Sequence, residues 1–150
     1  MLEALENAKE ELKRADHLMY VSLKYTRTVD VLKSIMERLI NTFDCGIEAL
    51  LLAKKVKEIP KVPKLKVESV KKQYAEEPAM TTFMDFYLLL RSVDRATFER
   101  ALEYRRHVTM TAHLDDKEIE IDIDIIEDYF HKVKEFVNLV ERLIGAKKHE

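Results

Sequence analysis

The segment RRHVTMTAH holds the arginine and histidine side chains whose types and spacing are best suited to chemistry in this chain. Arg106 is followed directly by His107, and His113 comes seven positions after the arginine. Histidine suits proton transfer because its ordinary pKa, about 6.5, leaves it partly neutral at cellular pH. Arginine offers a fixed fork of N–H donors to phosphate oxygens and stabilises charge that develops on them. We therefore take Arg106, His107 and His113 as the candidate functional residues.

The backbone between these residues decides whether they can act together. Positions seven apart share one face of an α-helix, whereas an odd separation on a strand sends them to opposite faces. Residues 107–123 alternate apolar and polar side chains on both sides of a polar turn, which favours a small β-hairpin. The alternative is a helix that continues to about Leu114 and is followed by an extended linker. The sequence alone leaves both open.

Three long helices must carry most of the fold. Apolar residues at intervals of three and four predict helices over about 2–25, 29–57 and 124–145. Thr28 or Asp30 is expected to cap the second helix, and Asp124 with Glu127 resembles a capping box for the last, which Gly145 should end.

Gly46 lies inside the second of these predicted helices. Glycine costs about 1 kcal/mol of helix propensity relative to alanine, so we expect a neighbouring helix to pack closely against it.

Shorter elements are expected between the second and last helices. Prolines at positions 60 and 63 predict an extended strut over 58–66. Short helices should follow over 67–74, from Pro78 to about Val93, and over 95–105 with Asp94 as a cap. The predicted fold class is all-α, a bundle of about five or six helices with the small hairpin before the last one as an alternative.

Composition places the chain among folded proteins, with 47% hydrophobic and 36% charged residues in 150. That length suits a single domain spanning 1–150. No apolar run approaches the ~20 residues of a membrane span, and the N-terminus is charged from its third residue, unlike a secretory signal. We therefore expect a cytoplasmic protein without membrane contact, and we expect the lone Cys45 to be a packed thiol. Abundant Lys, Arg and Glu are typical of proteins from hot environments.

Charge is unevenly distributed along the chain, although the net charge is −2. Residues 54–73 carry eight lysines against two glutamates, and residues 115–128 carry eight acids against one lysine. We expect two solvated surfaces. The alternatives are a weak phosphate-binding patch, or complementary faces that meet within the fold or between subunits.

The candidate segment also resembles the motif of the HEPN superfamily, in which an arginine and a polar residue precede a histidine by a few positions. Arg106, His107 and His113 match that order. The helix order and the block ADHLMYVSLKYTRTVDVLKSIMERLINTFDCGIEALL are similar to small archaeal members, and the resemblance covers most of the chain in pattern. It implies a compact, often dimeric helical bundle with its active site at the subunit interface. Many members cleave RNA without a metal, and others serve as binding or scaffold domains.

The resemblance also implies a role for each candidate residue. His113 would be the general base on the ribose 2′-hydroxyl, Arg106 would bind the scissile phosphate, and His107 would fill the polar position. Asp115 stands where some toxins of the superfamily carry a tyrosine. An acid there can orient His113, but it also places negative charge where a phosphate must approach.

Two functions are therefore open, a metal-independent endoribonuclease and a non-catalytic bundle that acts as an interaction or RNA-associated subunit. We favour the second, because the β-like alternation and the nearby acids count against the first. We expect a homodimer through the second or the last helix, with RNA or a protein as partner. We expect no cofactor and no metal site, because Asp128 and His131 have no second such pair in the chain.

Overall fold

Five helices and three short strands make up the computed structural model, which describes the backbone of residues 1–148 and the side chains of residues 1–145. Helix α1 joins an α-helix over Leu2–His17, a π-helical turn over Leu18–Ser22 and a final turn over Leu23–Tyr25. The other helices are α2 (Val29–Ala53), α3 (Pro63–Gln73), α4 (Pro78–Arg95) and α5 (Ile123–Lys148), and the strands are β1 (Thr97–Ala101), β2 (Thr109–His113) and β3 (Glu118–Ile121). The chain is mostly helical, with one small antiparallel sheet.

Helix α2 forms the centre of the molecule and is contacted by all four other helices. Its expected cap is confirmed, because Thr28 Oγ1 accepts a hydrogen bond from the N–H of Val31 at 3.3 Å. The helix ends at Ala53, four residues before the predicted end at residue 57. Lys55 has a φ of 59°, and this left-handed conformation cannot continue the helix.

The close packing expected at Gly46 is confirmed. A Cβ at this position would lie 2.6 Å from Cε2 of Phe136 on α5, so only glycine lets the two helices approach this closely. The Phe136 ring is fully buried and lies 4.6 Å from the ring of Phe43 between centroids. Helices α2 and α5 are therefore joined by an aromatic core.

The connection between α2 and α3 is shorter than predicted, because α3 begins inside the proline-containing segment. The predicted strut over 58–66 is too long, because Pro63 occupies the first turn of α3, where its missing N–H costs nothing. Pro78 opens α4 in the same way, as predicted.

The predicted ends of the last helix were wrong. Asp122 rather than Asp124 caps α5, its Oδ1 accepting from the N–H of Ile125 at 2.9 Å. Gly145 does not end the helix, which continues to Lys148.

The helix predicted over 95–105 is wrong, since these residues form β1 and the loop after it. Phe98, Ala101 and Leu102 have helical spacing, but Leu102 is 49% exposed and has a φ of 55°, so the three do not form a buried face. Asp94 belongs to α4 and accepts a hydrogen bond from Lys33. Pairing with β2 supplies the hydrogen bonds of β1.

The sheet has the order β1–β2–β3, and both pairings are antiparallel. Met110 and Ala112 of the central strand point into the core, while Thr109, Thr111 and His113 face outward. Residues 107–123 therefore contain two strands of a three-stranded sheet, and the alternative helix through Leu114 is wrong.

Within residues 1–148, no helix combines the length and apolar character that a membrane crossing requires.

Candidate functional site

His113 lies at the end of the central strand, between two carboxylates of the neighbouring strands. Its Nδ1 is 3.2 Å from Oε1 of Glu118, the residue opposite His113 on the adjacent strand β3. Its Nε2 is 3.5 Å from Oε2 of Glu99 on β1. A protonated imidazole therefore has an acceptor for each of its N–H groups. Carboxylate oxygens therefore lie near both ring nitrogens through which a proton could be exchanged with a substrate.

Arg106 and His107 lie at the opposite end of β2, in the loop that precedes it. Both side chains are exposed, whereas Val108 behind them is fully buried and anchors the loop. The strand from Thr109 to His113 spans about 13 Å at roughly 3.4 Å per residue. Arg106 and His107 line one cavity and His113 lines another. Within one chain the structure thus brings Arg106 and His107 together but leaves His113 apart.

The loop between β1 and β2 is fixed to the start of α2 by its backbone and by charged groups. The N–H of Tyr104 donates to the carbonyl of Arg27 at 2.7 Å, and the N–H of Val29 donates to Oε2 of Glu103 at 3.1 Å. Arg100 adds an ion pair with Asp30 at 2.9 Å. Tyr104 itself has a φ of 65°, an uncommon conformation for a non-glycine residue. These contacts hold the loop that contains Arg106 against the link between α1 and α2, which contains Arg27.

Arg27 shares the cavity of Arg106 and His107, although the sequence did not single it out. The cavity has a volume of about 110 Å³, and its other lining residues are Asp122, Ile123 and Asp124. Nε of Arg27 is buried and has no hydrogen-bond partner in the described part of the chain. Arg27 lies within the polar link between α1 and α2, which has no helical periodicity, so no sequence pattern marks it; only the packing of the β1–β2 loop against the start of α2 does.

No carboxylate of residues 1–145 lies within ion-pairing distance of the guanidinium of Arg27 or Arg106. Buried polar groups normally have partners, and an unpartnered donor costs about 1–3 kcal/mol. The arrangement can therefore bind an acceptor-rich group from outside the chain.

The cavity at His113 has a different character. It measures about 300 Å³, and its lining includes Arg95, Asp115 and Asp116 as well as His113. The described residues include no cluster of three or more His, Cys, Asp or Glu placed to hold a metal ion.

The basic segment over 54–73 is partly neutralised by neighbouring helices. Lys66 pairs with Asp44 at 3.1 Å, and Lys71 pairs with Asp85 at 3.0 Å. Asp44 also accepts the hydroxyl of Tyr87 at 2.6 Å, which ties α2 to α4. Burial, and then this carboxylate, raise the pKa of Tyr87 well above its usual range. We infer from these contacts that Asp44 and Asp85 stabilise the fold rather than bind a ligand.

Cys45 is half-buried next to this network. Desolvation, followed by the charges of Glu11 and Glu48, raises the pKa of its thiol. A thiol with a raised pKa is a poor nucleophile, in agreement with a packing role.

The chain matches no protein-family model, no curated protein and no solved structure.

Proposed function

We propose that this chain is a non-catalytic, HEPN-like helical domain that acts as an RNA-associated interaction subunit. The observation that carries the proposal is the separation of Arg106 and His107 from His113 by the length of β2. A general base must lie within hydrogen-bonding reach of the proton that it removes, while the arginine binds the adjacent phosphate. One chain does not offer that geometry.

The surroundings of His113 support the same conclusion. Glu99 and Glu118 lie within 3.5 Å of its two ring nitrogens, so the negative charge of these carboxylates surrounds the imidazole. A phosphodiester that approached His113 would meet this charge and that of Asp115 and Asp116, against the positive charge of Arg95 in the same cavity. Coulomb repulsion opposes binding at this end of the sheet.

Association with RNA is supported at the other end of the sheet. Arg27 and Arg106 bring two guanidinium groups to one cavity, neither with a carboxylate partner among residues 1–145, and guanidinium is well matched to phosphate oxygens. The exposed rings of Tyr25 and Tyr104 lie on the two segments that carry these arginines, and such rings can stack on unpaired bases.

The alternative function, metal-independent cleavage of RNA, requires a second copy of the chain. In a homodimer, His113 of one copy could be brought to Arg106 of the other. The proposed homodimer therefore bears on both functions, and the cleavage assay separates them.

The test is incubation of the purified protein with single-stranded RNA in the presence of EDTA. The parent, Arg106→Ala and His113→Ala are compared, with His131→Ala as the matched control at an exposed histidine of α5. We expect RNA binding by the parent, measured by fluorescence anisotropy, and no cleavage by any variant. Cleavage by the parent and His131→Ala that is lost in both Arg106→Ala and His113→Ala would overturn the non-catalytic proposal. Absence of RNA binding would overturn the association.

A further inference from the structure

Two neighbouring cavities share Arg27 and Ile123 as common walls. The first is the cavity of Arg106 and His107, with a volume of about 110 Å³. The second, of about 200 Å³, extends along the π-helical turn of α1 and is lined by Met19, Tyr20, Leu23, Lys24 and Glu127. Together they approach the lower end of the roughly 300–1,000 Å³ typical of small-ligand sites.

The first cavity has the donors and the size for a single phosphate group. Arg27 and Arg106 supply guanidinium N–H groups, and His107 adds an imidazole. The volume is far below that of a site for a whole nucleotide, so this cavity accommodates only the phosphate end of such a ligand.

The second cavity has the surfaces that an aromatic base requires. The Tyr20 side chain is 45% exposed, and its ring lies nearly perpendicular to that of Phe130, with the centroids 5.9 Å apart. Met19 and Leu23, which line the same cavity, are buried. The π-helical turn over Leu18–Ser22 adds one residue to the turn and orients this part of α1; such turns often occur at functional sites. An exposed aromatic ring of this kind can stack on a base.

Carboxylates in the two cavities distinguish a nucleotide from a bare anion. Asp122 is engaged as the cap of α5, but Asp124 and Glu127 also line the walls. These acids repel an isolated phosphate. They can, however, accept hydrogen bonds from the amino groups on the edge of a base. The combination of guanidinium groups that have no carboxylate partner among residues 1–145, an aromatic ring and carboxylates therefore fits a nucleotide better than inorganic phosphate.

We propose that the two cavities together bind one nucleotide unit of single-stranded RNA, with its phosphate at Arg27 and Arg106 and its base on Tyr20. The proposal rests on the RNA association proposed above and assigns it a place. Arg27 is the residue common to both parts of the site.

The experiment is fluorescence anisotropy of a short, labelled single-stranded RNA with the full chain. Arg27→Gln should weaken binding about tenfold, as the loss of a charge-assisted hydrogen bond predicts. Tyr20→Ala should weaken it about fivefold or more through lost stacking, whereas Tyr20→Phe, which keeps the ring, should stay within about twofold. Arg142→Gln is the matched control, because it removes the same charge roughly 28 Å along α5 from Ile123.

Thermal unfolding of each variant, followed by circular dichroism, shows whether it is folded at the assay temperature. Parent binding that is unchanged in both Arg27→Gln and Tyr20→Ala overturns the site while leaving the RNA association intact. No RNA binding by the parent overturns both. If the parent binds a nucleoside monophosphate but does not bind RNA, the assignment to an RNA strand is also overturned. A slope near −0.7 in the plot of the logarithm of the association constant against the logarithm of the salt concentration supports contact with one phosphate.

Discussion

The ring of Phe136 occupies the space that a side chain at position 46 would need. An added Cβ at Gly46 would lie 2.6 Å from Cε2 and 3.2 Å from Cζ of this ring. Phe136 is fully buried between Phe43 and Phe83, with centroid distances of 4.6 and 5.5 Å. These aromatic neighbours restrict the movement of the ring, and the approach of α2 to α5 depends on the glycine.

Gly46→Ala should lower the free energy of unfolding by about 1–2 kcal/mol. Overpacking of a core typically costs about 1–3 kcal/mol, and the better helix propensity of alanine returns up to about 1 kcal/mol. Denaturant unfolding followed by circular dichroism measures the change. Gly145→Ala is the control, because a Cβ there has no neighbour within 4 Å in the described structure, and it should be neutral or slightly stabilising. Equal effects of the two substitutions would refute the packing argument.

Glu103→Ala should loosen the loop that carries Arg106. Oε2 of Glu103 accepts the N–H of Val29 at the start of α2, and Oε1 is 3.3 Å from Arg100. The loss of this hydrogen bond should cost about 1 kcal/mol and increase amide exchange at Val29 and Tyr104. Hydrogen exchange measured by NMR resolves both amides. Glu120→Ala, at an exposed carboxylate of β3, should change stability by less than about 0.5 kcal/mol and leave these amides protected.

Titration of Tyr74 should be one contribution to a fall in stability at alkaline pH, beside that of the buried Tyr87. Burial, and then the charge of Glu76, raise the pKa of Tyr74 from 10.0 to about 12, and the side chain is only 5% exposed. The folded state thus retains the phenolic proton to higher pH than the unfolded state. Its contribution to stability is complete below pH 10 and is lost as the pH rises through about 12.

The size of this pH effect is bounded by linkage. One group changes the free energy of unfolding by at most about 1.4 kcal/mol per pH unit. Tyr74→Phe loses the hydrogen bond to the carbonyl of Leu50, but its stability should depend less steeply on pH in this window. Denaturant midpoints at a series of alkaline pH values measure the two slopes. Parallel slopes would show that Tyr74 is not the responsible group.

A homodimer remains a prediction, with α2 or α5 as the expected interface. The fold covers α2 with the other helices, which leaves the outward face of α5, where Ile125 is 38% exposed. We expect sedimentation equilibrium to give the mass of two chains at micromolar concentration, and Ile125→Glu to shift the protein toward the monomer because it would bury a charge. A parent that sediments as a single chain would contradict the prediction.

Helix positions could be predicted from the sequence because helical periodicity is a local property. The stripes of α1, α2 and α5, and the proline at the start of α4, mark these helices without knowledge of their neighbours. The close approach at Gly46 was also predictable, since an interior glycine costs helix propensity that packing must compensate.

The ends of elements and the first strand were less predictable. Asp122 and Asp124 are both suitable caps, and the choice between them depends on where β3 ends. Thr97–Ala101 has a spacing that suits a helix, and its strand conformation depends on hydrogen bonds from β2.

The sequence alone determined a mostly helical chain with its candidate residues on either side of an alternating segment. Only the tertiary structure decided that Arg106 would lie beside Arg27, nearly eighty positions earlier, and that His113 would lie between Glu99 and Glu118. The physical reason is that helical stripes arise from contacts a few residues apart. Strand pairing and loop docking instead join groups that are distant in sequence and close only after folding.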